Sequence, residues 1–324
     1  MITVYLILSI LLIIMLVFIF DILRLIRIKS AKELPDEKDA AYYSADEYGR
    51  KFENLYEFLE NETGCEKFSD DEIFNILSRQ SEYMNNRFDC SDFRAQLMIK
   101  IFYDFEGSLS ERNKFLIKKT FLNFKYFMDE PGNDSMCYWS ENHQILFAVV
   151  EYLAGQKWHD EIFFNSGMTG KEHMLKAKQR IDIWMNQRFL YGFSEYLSNN
   201  YLAEDIAPMA NFIAYAKDKE SVQRMKIIMD LLWLDVALNS VNNRFVAVSS
   251  RMYGNNKAGN YFGNSIISAM NILWGQDGTD KILSSCHYSE KEIQLLKENL
   301  AKKPNYIVVC FTDVVKKSYM FFRK

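Results

Sequence analysis

The chain has 324 residues, with 39 Lys and Arg against 43 Asp and Glu, a formal net charge of −4 and 49% hydrophobic residues. Charges of both signs are interspersed, so no basic stripe exists to neutralise a phosphate backbone, and nucleic acid is not an expected partner. The five cysteines, Cys65, Cys90, Cys137, Cys286 and Cys310, are odd in number and form no C-x-x-C, so neither a disulfide framework nor a zinc site is signalled; buried free thiols, no metal and no cofactor are expected.

The chain opens on an apolar run from Ile2 to Phe20 in which only Thr3 and Ser9 are polar. As an α-helix it would span roughly 29 Å, close to the hydrocarbon thickness of a bilayer. No Lys or Arg precedes Arg24 and no small-residue cleavage motif follows, which favours an uncleaved anchor over a signal peptide. Asp21, Arg24, Arg27 and Lys29 close the run, and residues 35–39 (PDEKD) read as a solvated linker. The expected organisation is an anchor over 1–28, a linker over 29–45 and one helical domain over 46–324. The positive-inside rule applied to Arg24, Arg27, Lys29 and Lys32 places that flank in the cytoplasm.

Past the linker, helical periodicity predicts helices near 46–62, 70–85, 90–105, 110–128, 140–154, 171–190, 203–217, 219–239, 263–274 and 289–301. Ser69 with Glu72, and Ser289 with Glu292, fit the S-x-x-E capping box. Only residues 306–311 (YIVVCF) look β-like. The helix at 140–154 is apolar almost all round after its first turn, as a helix covered on every side must be, whereas 171–190 is amphipathic with Met174, Ala177, Ile181, Trp184 and Met185 on one stripe. The alternation continues: 203–217 and 263–274 read as inner helices, 219–239 and 289–301 as outer ones. The fold class is all-α, with αα-hairpins packed around a common axis as a bundle or an α/α toroid. All outer-to-inner connections then emerge on one rim, and those at 129–139, 191–202 and 240–262 are long, as functional loops are.

Three rim segments carry polar chemistry. The first contains Trp139, Ser140, Glu141, Asn142, His143 and Gln144; with Ser140 as N-cap, the next three occupy a first turn whose free N–H groups favour an anion. An isolated His in such a helix is more often a hydrogen-bonded core residue than a catalyst. The second supplies Glu195, Tyr196, Asn199, Asn200, Tyr201, Glu204 and Asp205, suited to carbohydrate hydroxyls or to plain turn and cap chemistry. The third adds Asn242, Asn243, Arg244, Ser249, Ser250, Arg251 and Tyr253; either arginine could clamp a carboxylate or pair with Glu195 or Asp205.

The hairpin alternation and the segments WSENHQ, NSGMTGKEH and GFSEYLSNNYLAEDI resemble those of the six-hairpin α/α toroid superfamily, over roughly residues 65 to 275. That superfamily includes glycosidases and the alginate-lyase-like and heparinase-like polysaccharide lyases. The resemblance implies β-elimination from a uronate-containing glycan. Asn142 and His143 match the Asn-His pair, Tyr201 or Tyr196 the tyrosine, and Arg188, Arg244 or Arg251 the arginine, with Trp139, Gln144, Tyr196, Asn200, Asp205, Arg244 and Tyr253 binding substrate. Glu141 with Glu195 or Asp205 instead suits the acid/base pair of an inverting glycoside hydrolase, whose carboxylates stand about 6.5–9.5 Å apart. A third expectation is a non-catalytic module presenting Trp139, Trp158, Tyr201 and Tyr253 to sugars or a protein. The expected partners are an acidic or neutral polysaccharide, and a lipid bilayer through residues 2–20.

Overall fold

The computed structural model describes residues 46–61, 68–241, 244–252 and 265–274, with Met15, Ile19 and Cys310. The apolar run 2–20, apart from Met15 and Ile19, lies outside the described residues, as do the helix expected at 289–301, the β-like segment 306–311 and Tyr253. No helix among the described residues is long and apolar enough to cross a membrane.

The described chain is mostly helical: α1 (Asp46–Asn61), α2 (Asp70–Asn85), α3 (Ser91–Phe105), α4 (Glu111–Asn123), α5 (Glu141–Lys157), α6 (Gly170–Tyr191), α7 (Tyr201–Tyr215), α8 (Lys219–Leu238) and α9 (Ser265–Trp274). Two antiparallel two-residue strands, Ser240–Val241 and Arg244–Phe245, interrupt this order. The helix starts follow local chemistry. Ser69 and Glu72 form the expected capping box, with Glu72 N–H on Ser69 Oγ at 3.3 Å and Ser69 N–H on Glu72 Oε2 at 2.8 Å. Thr169 and Glu172 build a second box at the head of α6. The helix expected to reach residue 128 stops at Asn123, because Phe124 turns extended and packs its ring against Tyr126 and Phe147.

Burial separates inner from outer helices. Every residue of α5 except Gln144 and Lys157 is buried, whereas α6 buries a single stripe through His173, Ala177, Ile181, Trp184, Met185 and Arg188. α3, α5 and α7 pack on one another at the centre, with α6 against α5 and α8 against α7 and α6. The three inner helices run parallel. Their N-terminal ends meet where Asp92 of α3 touches His143 of α5, and their C-terminal ends meet where Tyr103 OH donates to Leu153 O at 2.9 Å and Gln156 Nε2 to Tyr215 O at 2.9 Å. At that second end Lys100, fully buried, donates to Asp104 Oδ2 at 2.8 Å and to Tyr215 OH at 2.9 Å.

Two buried features hold α6 against α5. One is polar: His173 Nδ1 lies 2.6 Å from Glu151 Oε1 and its Nε2 2.6 Å from Ser166 Oγ. Burial drives the His173 pKa down to about 4, so at neutral pH Nδ1–H donates to Glu151 and Nε2 accepts from Ser166. Lys176 and Arg180 add positive charge beside Glu151. The other is steric: a Cβ on Gly155 would stand 2.4 Å from the carbonyl of Gly170 and 2.8 Å from Met174 N. Overpacking such a contact costs about 1–3 kcal/mol. Gly155→Ala is therefore expected to lower the thermal unfolding midpoint by several degrees with helical circular dichroism retained, and an unchanged midpoint would show that the helices can separate without cost.

Candidate functional site

Because α3, α5 and α7 are parallel, the positive ends of three helix dipoles converge on one rim. Four carboxylates gather there, each handled differently. Ser140 caps α5, accepting His143 N–H, and so sets Glu141, Asn142 and His143 in the first turn.

Glu141 is wholly buried and pairs with Arg188 at the end of α6. Its Oε2 also accepts the N–H and Oγ–H of Ser194, at 2.5 and 2.6 Å, while Trp184 Nε1–H donates to its carbonyl at 3.0 Å. This carboxylate ties the α6–α7 loop to α5. Glu141, expected as a catalytic acid or base, and Arg188, expected as a candidate for the arginine, are thus paired with each other.

Glu195 lies at the centre of a chain of contacts. Asn142 Nδ2–H donates to its Oε2 at 2.5 Å, and Arg251 Nη1 donates to its Oε1 at 2.8 Å. The Arg251 guanidinium, nearly half-exposed, then stacks 4.0 Å over the Tyr201 ring. Ser198 Oγ accepts Tyr201 N–H at 3.3 Å and donates to Arg251 O at 3.1 Å. Residues 142, 195, 201 and 251 thus share one neighbourhood, although Asn142 is turned toward Glu195 rather than outward.

His143 is 9% exposed. Its Nδ1 lies 2.5 Å from Oδ2 of Asp92, which is fully buried, and its ring meets Phe93 edge-on at 5.4 Å. Nε2 has no hydrogen-bond partner among the described residues. Burial opposes the imidazolium, but the hydrogen bond and charge of Asp92, with Asp89 and Glu195 further off, outweigh it and raise the His143 pKa. Asp92 itself is pushed up by burial. Asp92 was not among the residues singled out from sequence; an acid in the first turn of a helix as apolar as α3 was the available signal.

The remaining expected residues are scattered. Trp139 and Tyr196 stand on the rim, 71% and 60% exposed. Gln144 Nε2–H donates to Trp139 O at 2.8 Å, and Asn200 is half-buried just before α7. Arg244 pairs with Val241 in the short hairpin. Trp158 is buried and packs on Phe102 and Phe121, which removes it from any sugar-binding surface. The expectation of buried thiols holds for Cys310 alone among the described cysteines: Cys90 is exposed and Cys137 half-buried.

Two clusters could in principle hold a metal: Asp89 with Cys90 and His143, and Glu130 with Glu151 and His173. In the second, Lys176 and Arg180 already supply the positive charge.

Asp205 is the fourth carboxylate. It is fully buried, and neither oxygen has a hydrogen-bond partner among the described residues. Burial, with Glu141 and Glu195 nearby, lifts its pKa well above the usual carboxylate range, against the pull of Arg188. Asp205, expected to bind substrate, is thus enclosed in the rim, with its protonated form favoured. As pH rises past 3.8, its ordinary value, the unfolded chain releases this proton before the folded one does, so stability falls with rising pH up to the folded pKa. Each unit of such a shift costs ~1.4 kcal/mol at neutral pH. Asp205→Asn is expected to raise the unfolding midpoint at pH 7 by at least ~2 °C and to leave it unchanged in acid below the ordinary Asp pKa, as scanning calorimetry can check. In comparison with known proteins, the chain matches no protein-family model, and no curated protein and no solved structure was found similar to it.

Proposed function

We propose that the chain is a carbohydrate-active enzyme that cleaves uronate-containing glycans by β-elimination, on a scaffold that is part or all of an α/α toroid. The alternation of inner and outer helices supports the scaffold. The observation that carries the chemistry is His143, held by buried Asp92 so that Nε2 presents its lone pair on a rim of helix N-termini.

Arg251 holds the uronate carboxylate. Nε2 of His143 in its unprotonated form, which the raised pKa shifts to higher pH, removes the C5 proton, the C–H electrons form the C4–C5 double bond, and the C4–O bond breaks. The Tyr201 hydroxyl, its ring beneath Arg251, protonates the departing oxygen. Asn142 and Asp92 act as positioning residues, through Glu195 and His143. Exposed Trp139 and Tyr196 offer flat faces for flanking sugars. The hydrolase reading loses ground because Glu141 is enclosed by Arg188 and Ser194.

The test is incubation of the full-length chain with uronate-containing and neutral polysaccharides, following ultraviolet absorbance of the unsaturated product beside reducing-end release. His143→Ala is expected to lower the elimination rate by about 10²–10⁴-fold, and Asp92→Asn to lower kcat with little change in KM. Reducing ends without an unsaturated product would replace elimination by hydrolysis, and binding with neither product would leave a glycan-binding module.

The apolar run 2–20 serves as a single-pass anchor in this reading. A glycan substrate requires the domain outside the cell, whereas the basic flank after residue 20 favours the inside. Protease added to intact cells is expected to digest the domain; full protection would sink the polysaccharide chemistry.

A further inference from the structure

We propose that Asp89, Cys90 and His143 form a site for a divalent transition metal such as Zn²⁺. A carboxylate oxygen of Asp89, Sγ of Cys90 and a ring nitrogen of His143 lie within 4.8 Å of one another. Around a tetrahedral zinc ion, metal–ligand bonds of about 2.0–2.3 Å put neighbouring ligand atoms roughly 3.5 Å apart. Closing that gap takes a movement of about 1 Å in the α2–α3 turn, where Asp89 and Cys90 stand exposed.

The surroundings are those a metal-binding histidine needs. Such a histidine gives its other ring nitrogen to a carboxylate, which fixes the ring and makes it a stronger donor. Asp92 takes Nδ1 of His143 at 2.5 Å, so the ion would take Nε2, which has no hydrogen-bond partner among the described residues on a ring nine-tenths buried. The turn is anchored: Asp89 O accepts Tyr83 OH at 2.6 Å, and Asp89 Oδ1 accepts Cys137 N–H at 3.0 Å. Its second carboxylate oxygen remains for the ion. Burial and the charges of Asp89, Asp92 and Glu204 hold the Cys90 thiol well above its usual range, so it is the ion that must displace its proton. Among the described residues no lysine or arginine is paired with Asp89 or Asp92, in contrast to the Glu151 cluster. Thiolate and imidazole together select zinc or cobalt over magnesium and calcium. Binding displaces the thiol proton to solvent, and three protein ligands leave a fourth position for water.

The inference goes beyond the glycan reading and does not depend on it. The two share one lone pair, however: an ion on Nε2 takes the electrons that proton abstraction needs, so zinc would silence elimination and a chelator would restore it.

The test is titration of the reduced, metal-stripped full-length chain with Co²⁺. One equivalent is expected to give a near-ultraviolet thiolate-to-cobalt charge-transfer band with visible bands of tetrahedral intensity, both erased by Zn²⁺. Cys90→Ser should abolish the charge-transfer band, and Asp92→Asn should weaken binding by about 10–100-fold. Asp89→Asn, an exposed change that leaves the fold intact, should weaken it as well. Cobalt that stays octahedral in the unaltered chain, or a band that survives both Cys90→Ser and His143→Ala, overturns the proposal, whatever the outcome with polysaccharides.

Discussion

Three buried helices pointing the same way impose the constraint on which the rest of this structure depends. Parallel α3, α5 and α7 bring their unpaired N–H groups and positive dipole ends to one rim, where negative charge is stabilised. Asp92, Glu141, Glu195 and Asp205 gather there. Glu141 is matched by Arg188 and the Ser194 N–H, Glu195 by Arg251 and Asn142, and Asp92 by His143. Asp205, with no hydrogen-bond partner among the described residues, has its pKa raised by burial. The order of the rim loops follows from these pairings, since Glu141 fastens the α6–α7 loop and Glu195 the segment around Arg251.

The opposite end of the inner helices answers with the opposite charge. Lys100 lies fully buried near the C-terminus of α3, bonded to Asp104 and Tyr215 with its ammonium 4.9 Å from the Tyr56 ring. A cation is favoured at that end for the same reason that carboxylates are favoured at the rim. The apolar middle between these ends is what the close Gly155–Gly170 approach makes possible, because any side chain there would lift α6 off α5.

His143 concentrates the chemical consequence. One ring nitrogen is committed to Asp92, so the other is fixed in direction and enriched in basicity. A fixed imidazole lone pair can accept a proton or a metal ion but not both at once. The exclusivity is a property of the single lone pair.

What the amino-acid sequence determined by itself is local and periodic. The all-round apolar character of α5, the single stripe of α6, the Ser69 box and the Ser140 cap all follow from residues within a turn or two of one another. The rim position of residues 139–144 and 191–205 follows from alternation alone. Partnership was decided by tertiary structure. Asp92 with His143, Glu141 with Arg188 and Asn142 with Glu195 each join residues some 50 positions apart, and spacing carries no information about which carboxylate will meet which cation. Glu141 and His143, two residues apart, show the result: one faces into Arg188 and Ser194, the other toward Asp92 with a nitrogen left over. The early end of α4 has the same origin, since Phe124 gains more from ring packing against Tyr126 and Phe147 than from another turn of helix. Periodicity reports which face of a helix is buried; only the packed neighbours decide what that face touches, because burial leaves a charged group the choice of a partner, a proton or an ion.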